Sequence, residues 1–278
     1  MPFFASKIGC DMMKICLLTS GSIGNAVVIE HEKESILIDC GVSYKKLDEL
    51  ISQTGLNISK VKHILVTHEH SDHIKGVGVT SRRLGLRVWS TEKTAEAIYE
   101  KGILKDRDPE INYVEKYSEY EIAGFKITPF PLSHDARDPV GYLIERSGKK
   151  VVYLTDTGYV SKKVIEAVKG ANLYIIELNH NVEMLHMCNR PWPLKQRILG
   201  DYGHLSNEDG AYVFSKMMNN NTQHVFLSHI SQEANLPDLA MMTMKGILKE
   251  CEVDTSRLNI HMTYPMRPSR VVDLAIGS

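Results

Sequence analysis

Three histidines and an aspartate crowd into six residues, His68-Glu-His70-Ser-Asp72-His73, just after the short apolar run 64–66. In an extended segment alternate residues share one face. His68, His70 and Asp72 are therefore expected to point the same way, with His73 turning back as the chain leaves the strand. Two imidazoles on one side and a carboxylate plus an imidazole on the other suit two ions a few ångströms apart better than one. Neutral imidazole together with carboxylate favours a borderline-to-hard divalent ion such as zinc, manganese or iron.

The elements that must position these groups alternate between strand and helix patterns. Apolar, β-branched runs predict strands at 14–19, 26–30, 35–38, 64–66, 87–90, 113–117, 121–130, 141–146, 150–155, 173–178, 224–227 and 258–262. Helical spacing predicts helices at 45–53, 77–85, 91–101, 161–168, 239–251 and from Ser206 to about Met218. Residues 182–203 carry no clear period and read as irregular. Strands repeatedly end in ligand-type residues: Asp39, the 68–73 cluster, His134, Asp156 and His229. A strand end holds a side chain rigidly, and α/β sheets place their sites along one edge. Asp39, beside a glycine, is either a helix cap or a group aimed at the site.

Bulk properties narrow the function classes. The chain has 278 residues, 43% of them hydrophobic and 24% charged, which is an ordinary globular composition. A formal charge of −1 gives no global field for nucleic acid, so a polyanion must be held by a local patch or by metal. Five cysteines (10, 16, 40, 188 and 251) are odd in number and without C-x-x-C spacing, which argues for a reducing compartment. No run approaches the ~20 apolar residues of a membrane span. The expectation is a cytoplasmic protein without membrane contact. Residues 1–12 read as a flexible leader and 13–278 as a single domain.

The order Asp39, His68/His70/Asp72/His73, His134, Asp156, His229 resembles the metallo-β-lactamase-fold hydrolases and covers most of the chain. That resemblance implies an α/β fold, a four-layer αββα sandwich, with a dinuclear site along one edge. It implies one ion on His68, His70 and His134, another on Asp72, His73 and His229, with Asp156 bridging and Asp39 orienting ligands. The stretches 20–25 (Ser-Gly-Ser-Ile-Gly-Asn), Asn179-His180, 191–198 and 203–208 look like the WalJ/YycJ-type members, a family associated with 5′-to-3′ exonuclease activity on DNA. Asn181 departs from that family, where aspartate is expected.

Glu177 and His204 sit where the related tRNA 3′-end-processing nucleases place a Glu–His pair, in which the histidine protonates the leaving oxygen. Asp72, His204 and Glu177 are accordingly the expected catalytic residues, with a hydroxide shared by two divalent ions as the nucleophile. The substrate is expected to be a single- or double-stranded DNA end. Ser22 and Asn25 in the Gly-rich turn could meet phosphate, although a plain β-turn explains them too. His180, Arg190, Lys195 and Arg197, with Ser206 opening a helix, complete the expected contacts; a solvated basic loop is the competing reading of 190–197. Trp192 reads as structural, and the run Met241, Met242, Met244 as core. The alternatives are a small-molecule hydrolase of the same fold cleaving a thioester, lactone or cyclic phosphodiester, an RNA nuclease, or a non-catalytic binding module. The complete ligand set counts against the last.

Overall fold

Residues 11–32, 34–105 and 108–276 are described by a computed structural model. Ten of the twelve expected leader residues lie outside that range; the other two open the first strand, which begins three residues earlier than the pattern at 14–19 suggested.

Two seven-stranded mixed sheets stack face to face. The first contains β1 (Asp11–Thr19), β2 (Ala26–His31), β3 (Glu34–Ile38), β4 (Val61–Leu65), β5 (Arg87–Ser90), β6 (Ile111–Tyr113) and β14 (Val272–Ile276), in the order β14-β1-β2-β3-β4-β5-β6. The second contains β7 (Tyr120–Ile122), β8 (Phe125–Pro131), β9 (Val140–Arg146), β10 (Lys149–Leu154), β11 (Leu173–Glu177), β12 (His224–Ser228) and β13 (Asn259–Met262), in the order β13-β12-β11-β10-β9-β8-β7. Each sheet is antiparallel on one side and parallel on the other: β3 to β6 run parallel, as do β10 to β13.

The strands are apolar on both faces because both faces are covered. Along β1, Met13, Ile15 and Leu17 enter the core between the sheets, while Cys16 and Leu18 face a layer of helices. Strand β11 does the same, with Leu173 and Ile175 inward and Tyr174 and Ile176 outward. Helices α1 (Tyr44–Ser52), α3 (Val77–Leu84) and α4 (Glu92–Glu100) cover the first sheet through Leu47, Val77 and Ile98. Helices α5 (Lys162–Val168), α8 (Asn207–Met217) and α9 (Pro237–Glu250) cover the second through Val164, Phe214 and Met244. The αββα sandwich is therefore present. Among the described residues no helix is long and apolar enough to cross a membrane.

Four expectations need correction. The segment expected to be irregular folds into α6 (Val182–Met187) and α7 (Trp192–Leu199). Asn181 caps α6 by accepting from Met184 N–H at 3.0 Å, a local side-chain bond invisible to a periodicity reading. The span 121–130 is broken into a β7–β8 hairpin because Ala123 and Gly124 both adopt left-handed backbone (φ 52° and 70°). Strand β14, unpredicted, pairs with β1 and closes the first sheet's edge. Of the run read as core, Met244 is buried but Met242 is exposed; Trp192, read as structural, is exposed too, since each lies on a helix face that meets no sheet.

The carboxyl ends of β3, β4, β10, β11 and β12 meet along one rim. Cross-sheet bonds hold that rim together: Tyr142 Oη donates to Val66 O at 2.7 Å, Val140 N to Thr67 O at 3.0 Å, and His229 N to Ser20 Oγ at 2.8 Å. Behind it, α2 (Ser71–Ile74) is pressed against the turn after β3, with Cys40 N donating to His73 O and Asn25 N to Asp72 O, both at 2.8 Å. Gly41 makes this possible, since a Cβ there would lie 1.6 Å from Asp72 O. Gly41→Ala is expected to lower stability by ~1–3 kcal/mol or more through overpacking, read as a shifted urea midpoint with m unchanged.

Candidate metal centre

The 68–73 cluster does not stay extended. His70 is the N-cap of α2, so Asp72 and His73 lie in a helical turn rather than on the strand face that His68 and His70 share. The turn splits the motif. His68 and His70 converge with His134, while Asp72 and His73 converge with His229; within each triad the donor atoms all lie within 4.8 Å of one another. Asp156 joins the halves: its Oδ2 is 3.4 Å from His73 Nε2 and its Oδ1 3.4 Å from His229 Nε2. All seven expected ligands are thus brought together from distant segments of chain.

Backbone conformation aims several of them. Asp39, Asp156 and His229, each just past a strand, have φ of 58°, 57° and 53°. This left-handed region is disfavoured for residues with a Cβ and persists where the surroundings over-determine it.

At four of the buried imidazoles a neighbour holds Nδ1, which fixes what Nε2 can do, and His73 Nε2 also lies 3.0 Å from Asn25 Nδ2. His73 Nδ1 donates to Asp39 Oδ2 at 2.7 Å, so Asp39 orients a ligand rather than capping a helix. Thr67 steadies the same carboxylate through its N–H (2.8 Å) and its hydroxyl (2.9 Å). His68 Nδ1 meets Thr67 Oγ1 at 3.0 Å, His134 Nδ1 donates to Gly203 O at 3.1 Å, and His229 Nδ1 to Glu177 Oε1 at 2.9 Å. Thr157 does for Glu177 what Thr67 does for Asp39, giving its N–H to Oε2 at 3.0 Å. Neither threonine carried a signal in the sequence; each simply sits beside a ligand at the end of a strand.

The donor set fits a divalent metal. His68 Nε2, His229 Nε2 and Asp156 Oδ2 are buried and make no hydrogen bond, and such orphans typically cost about 1–3 kcal/mol each. Burial, with His73 beside it, drives the pKa of His68 well below the ordinary value. Burial also opposes charge on His73, yet Asp156, Asp39 and Asp72 outweigh it and raise that pKa well above normal. His229 is raised likewise, burial being overcome by Asp156, Asp72 and Glu177.

His204 and Glu177, 27 positions apart, are in contact: His204 Nδ1 donates to Glu177 Oε1 at 2.7 Å. The His204 ring lies 5.0 Å from His134 and 5.2 Å from His229, centroid to centroid. Burial raises the Glu177 carboxyl, but His204 and His229 bring it down to about 2.

The expected substrate contacts fare unevenly. Asn25 is buried and bonds Asp72 Oδ2 at 3.2 Å and Gly21 O at 3.1 Å, so it positions the site from behind. Lys195 is buried with Nζ on His186 O at 2.7 Å, a pin inside the α6–α7 arm. Ser206 is buried as the N-cap of α8, its Oγ accepting from Asp209 N–H at 3.0 Å. His180 is buried under the rim, and burial lowers its pKa to about 4. Arg190 pairs with Glu233 at 3.1 Å. Ser22 is exposed, and Arg197 is exposed and paired with Asp135. Asp135, unmarked by the sequence, stands at the centre's edge, its Oδ1 3.4 Å from His134 Nε2.

Comparison with known proteins identifies the family and the fold. The profile of the Beta-lactamase superfamily domain matches residues 34–230. The chain is 37% identical to Exodeoxyribonuclease YycJ of Bacillus anthracis, over 92% of this chain and 97% of that one. It is 40% identical to Exodeoxyribonuclease WalJ of Streptococcus pneumoniae serotype 2, over 89% and 91%. The crystal structure of YhfI, a metallo-beta-lactamase fold protein from Bacillus subtilis, aligns with a TM-score of 0.72 at 16% identity, over 95% of this chain and all of that one. That likeness concerns the fold alone.

Because His73 and His229 carry raised pKa values and a metal needs them neutral, metal uptake near pH 7 should release protons and weaken as pH falls. Calorimetric zinc titrations in buffers of different ionisation enthalpy will show the release. Asp39→Asn should stay folded and lose about 10- to 100-fold in metal affinity, read by chelator competition.

Proposed function

The chain belongs to the Beta-lactamase superfamily, and within it to the WalJ/YycJ-type group; from that membership we propose that it is a metal-dependent DNA exonuclease working from a 5′ end. The observation that carries the reading is the complete donor set, two triads joined by Asp156. We assign it two ions per chain, zinc, manganese or iron: His68, His70 and His134 for one, Asp72, His73 and His229 for the other. Asp39, Asp72, Asp156 and Glu177 converge here, and four carboxylates balance the charge of two divalent cations. When bound, such ions supply an activated water at neutral pH and neutralise the non-bridging phosphate oxygens.

The remaining steps belong to the protein. Breaking a phosphodiester expels a sugar alkoxide, which needs a proton. His204 supplies it from Nε2, its Nδ1 being held by Glu177. Glu177, ionised throughout the working pH range, stabilises the imidazolium and then receives the neutral ring back in the same tautomer. Arg197, whose side chain is 55% exposed, reaches phosphate from the rim, with Ser22 as a second outer contact. The four described cysteines are free thiols, which suits the cytoplasm.

The test is hydrolysis by metal-loaded protein of 5′-phosphorylated single- and double-stranded DNA beside RNA and a thioester. DNA should be degraded and chelation should abolish turnover; turnover of the thioester with DNA left intact would overturn the reading. Asp72→Ala is expected to stay folded and bind one ion fewer. His204→Ala should keep its metal and lose about 10²- to 10⁴-fold in kcat. Full activity in His204→Ala would remove the proton-donor role.

A further inference from the structure

We propose that the cavity between α9 and β13 is a binding site, separate from the metal centre, for a phosphorylated nucleoside. The inference goes beyond the nuclease reading and does not depend on it. The cavity encloses about 720 Å³, within the range of small-molecule sites. None of the residues lining it belongs to the metal centre. One wall is a stripe of α9: Met241, Lys245, Leu248 and Lys249 recur at helical spacing and so share a face. The facing wall is Ile260 and His261 of β13, the outermost strand of the second sheet, with Arg270 reaching in from the segment before β14.

Three cations, Lys245, Lys249 and Arg270, stand in these walls, and no carboxylate does. Among the described residues none of the three is ion-paired, whereas Arg190 and Arg197 both are. The chain as a whole carries a formal charge of −1, so this group is not one part of a generally basic surface. Like charges held together repel, and a bound anion removes that repulsion. His261 adds a second observation. It is 9% exposed and meets His224 Nδ1 through its Nε2 at 3.0 Å, while its Nδ1 has no hydrogen-bond partner among the described residues. The ring is fixed by stacking on His224 (5.3 Å, 26°) and by packing on Phe226 at 4.8 Å. Burial, with His224 and Arg270 beside it, lowers its pKa to about 4. At neutral pH it is therefore an uncharged hydrogen-bonding group with one nitrogen unspent.

The lining selects the ligand class. A bare inorganic anion satisfies the cations but leaves the apolar floor of Met241, Leu248, Val253, Leu258 and Ile260 uncovered. A purely apolar ligand covers the floor and leaves the cations unneutralised. A phosphate monoester joined to a flat heterocycle meets both demands. Its phosphate takes charge-assisted bonds from lysine and arginine, its base lies on the aliphatic floor, and its ring heteroatoms face His261 and Asn259.

The experiment is equilibrium dialysis of the full-length, metal-loaded protein against radiolabelled deoxyadenosine 5′-monophosphate, repeated after the metal is removed by a chelator. The wild type should hold a nucleotide equivalent that survives chelation, as a nucleotide held at the metal centre would not. Lys249→Ser and Arg270→Ser should each weaken that equivalent by roughly 10- to 100-fold, the worth of one hydrogen bond to a charged group. Both variants should keep the wild-type metal content and urea midpoint, since both side chains are exposed. Deoxyadenosine, without the phosphate, and inorganic phosphate, without the base, should each compete about 10-fold less well or worse. A wild type with no chelator-resistant equivalent, or one that both substitutions leave unchanged, overturns the site. Inorganic phosphate competing on a par with the nucleotide overturns the nucleoside assignment. So does covalently closed duplex DNA that displaces the nucleotide at equal phosphate concentration, since the cavity would then contact a polymer backbone. Hydrolysis of DNA ends is assayed separately, so failure here and failure of the nuclease reading are told apart.

Discussion

One buried carboxylate governs the rim of this molecule. Asp156 is 2% exposed and stands 3.4 Å from a histidine of the first sheet's loops and 3.4 Å from one that follows β12 of the second. A carboxylate taken out of water is costly unless compensated, and the groups set beside this one are imidazoles. His73 and His229 can provide it as imidazolium, or a metal can take their place. The raised pKa values of these two rings and the orphaned nitrogens around them describe the same demand for positive charge.

Around that demand the two sheets repeat one device. In each, a strand ends in an aspartate with left-handed backbone, Asp39 after β3 and Asp156 after β10. In each, a threonine beside the ligands gives its N–H to a buried acid, Thr67 to Asp39 and Thr157 to Glu177. The acids in turn fix histidines, Asp39 holding His73 while one oxygen of Glu177 holds both His204 and His229. The positions of a candidate ligand and of the proposed proton donor are thus set by the same carboxylate. A defect at Glu177 would reach both.

Apart from the orphaned atoms of the centre, the expected contacts on the interior side of the rim are committed, and those on the exterior side are not. Asn25, Lys195 and Ser206, though polar and adjacent to the motifs, are spent on bonds within the protein. What is left facing solvent includes Arg197 and several aromatic rings.

The alternation of strands and helices was legible because periodicity is a property of neighbours in sequence; the sandwich itself was read from the family resemblance. The candidate ligands and their neighbour Asp39 were legible for a related reason: H-x-H-x-D-H is contiguous, and Asp39, His134, Asp156 and His229 each announce themselves by ending a strand. The sequence could say that these residue types belong to a rim. It anticipated the division of the motif between two ions but not its means, the helical turn α2, which depends on Gly41 admitting the Asp72 carbonyl. Nor could it tell Lys195 from Arg197, two cations in one basic cluster, one buried on a carbonyl and the other at the surface. Their fates, like the exposure of Trp192 and the 2.7 Å contact of Glu177 with His204, are decided by which distant segments arrive alongside. Patterns along the chain determine which elements form and where ligands can sit; contacts between elements decide which side chains remain free to act.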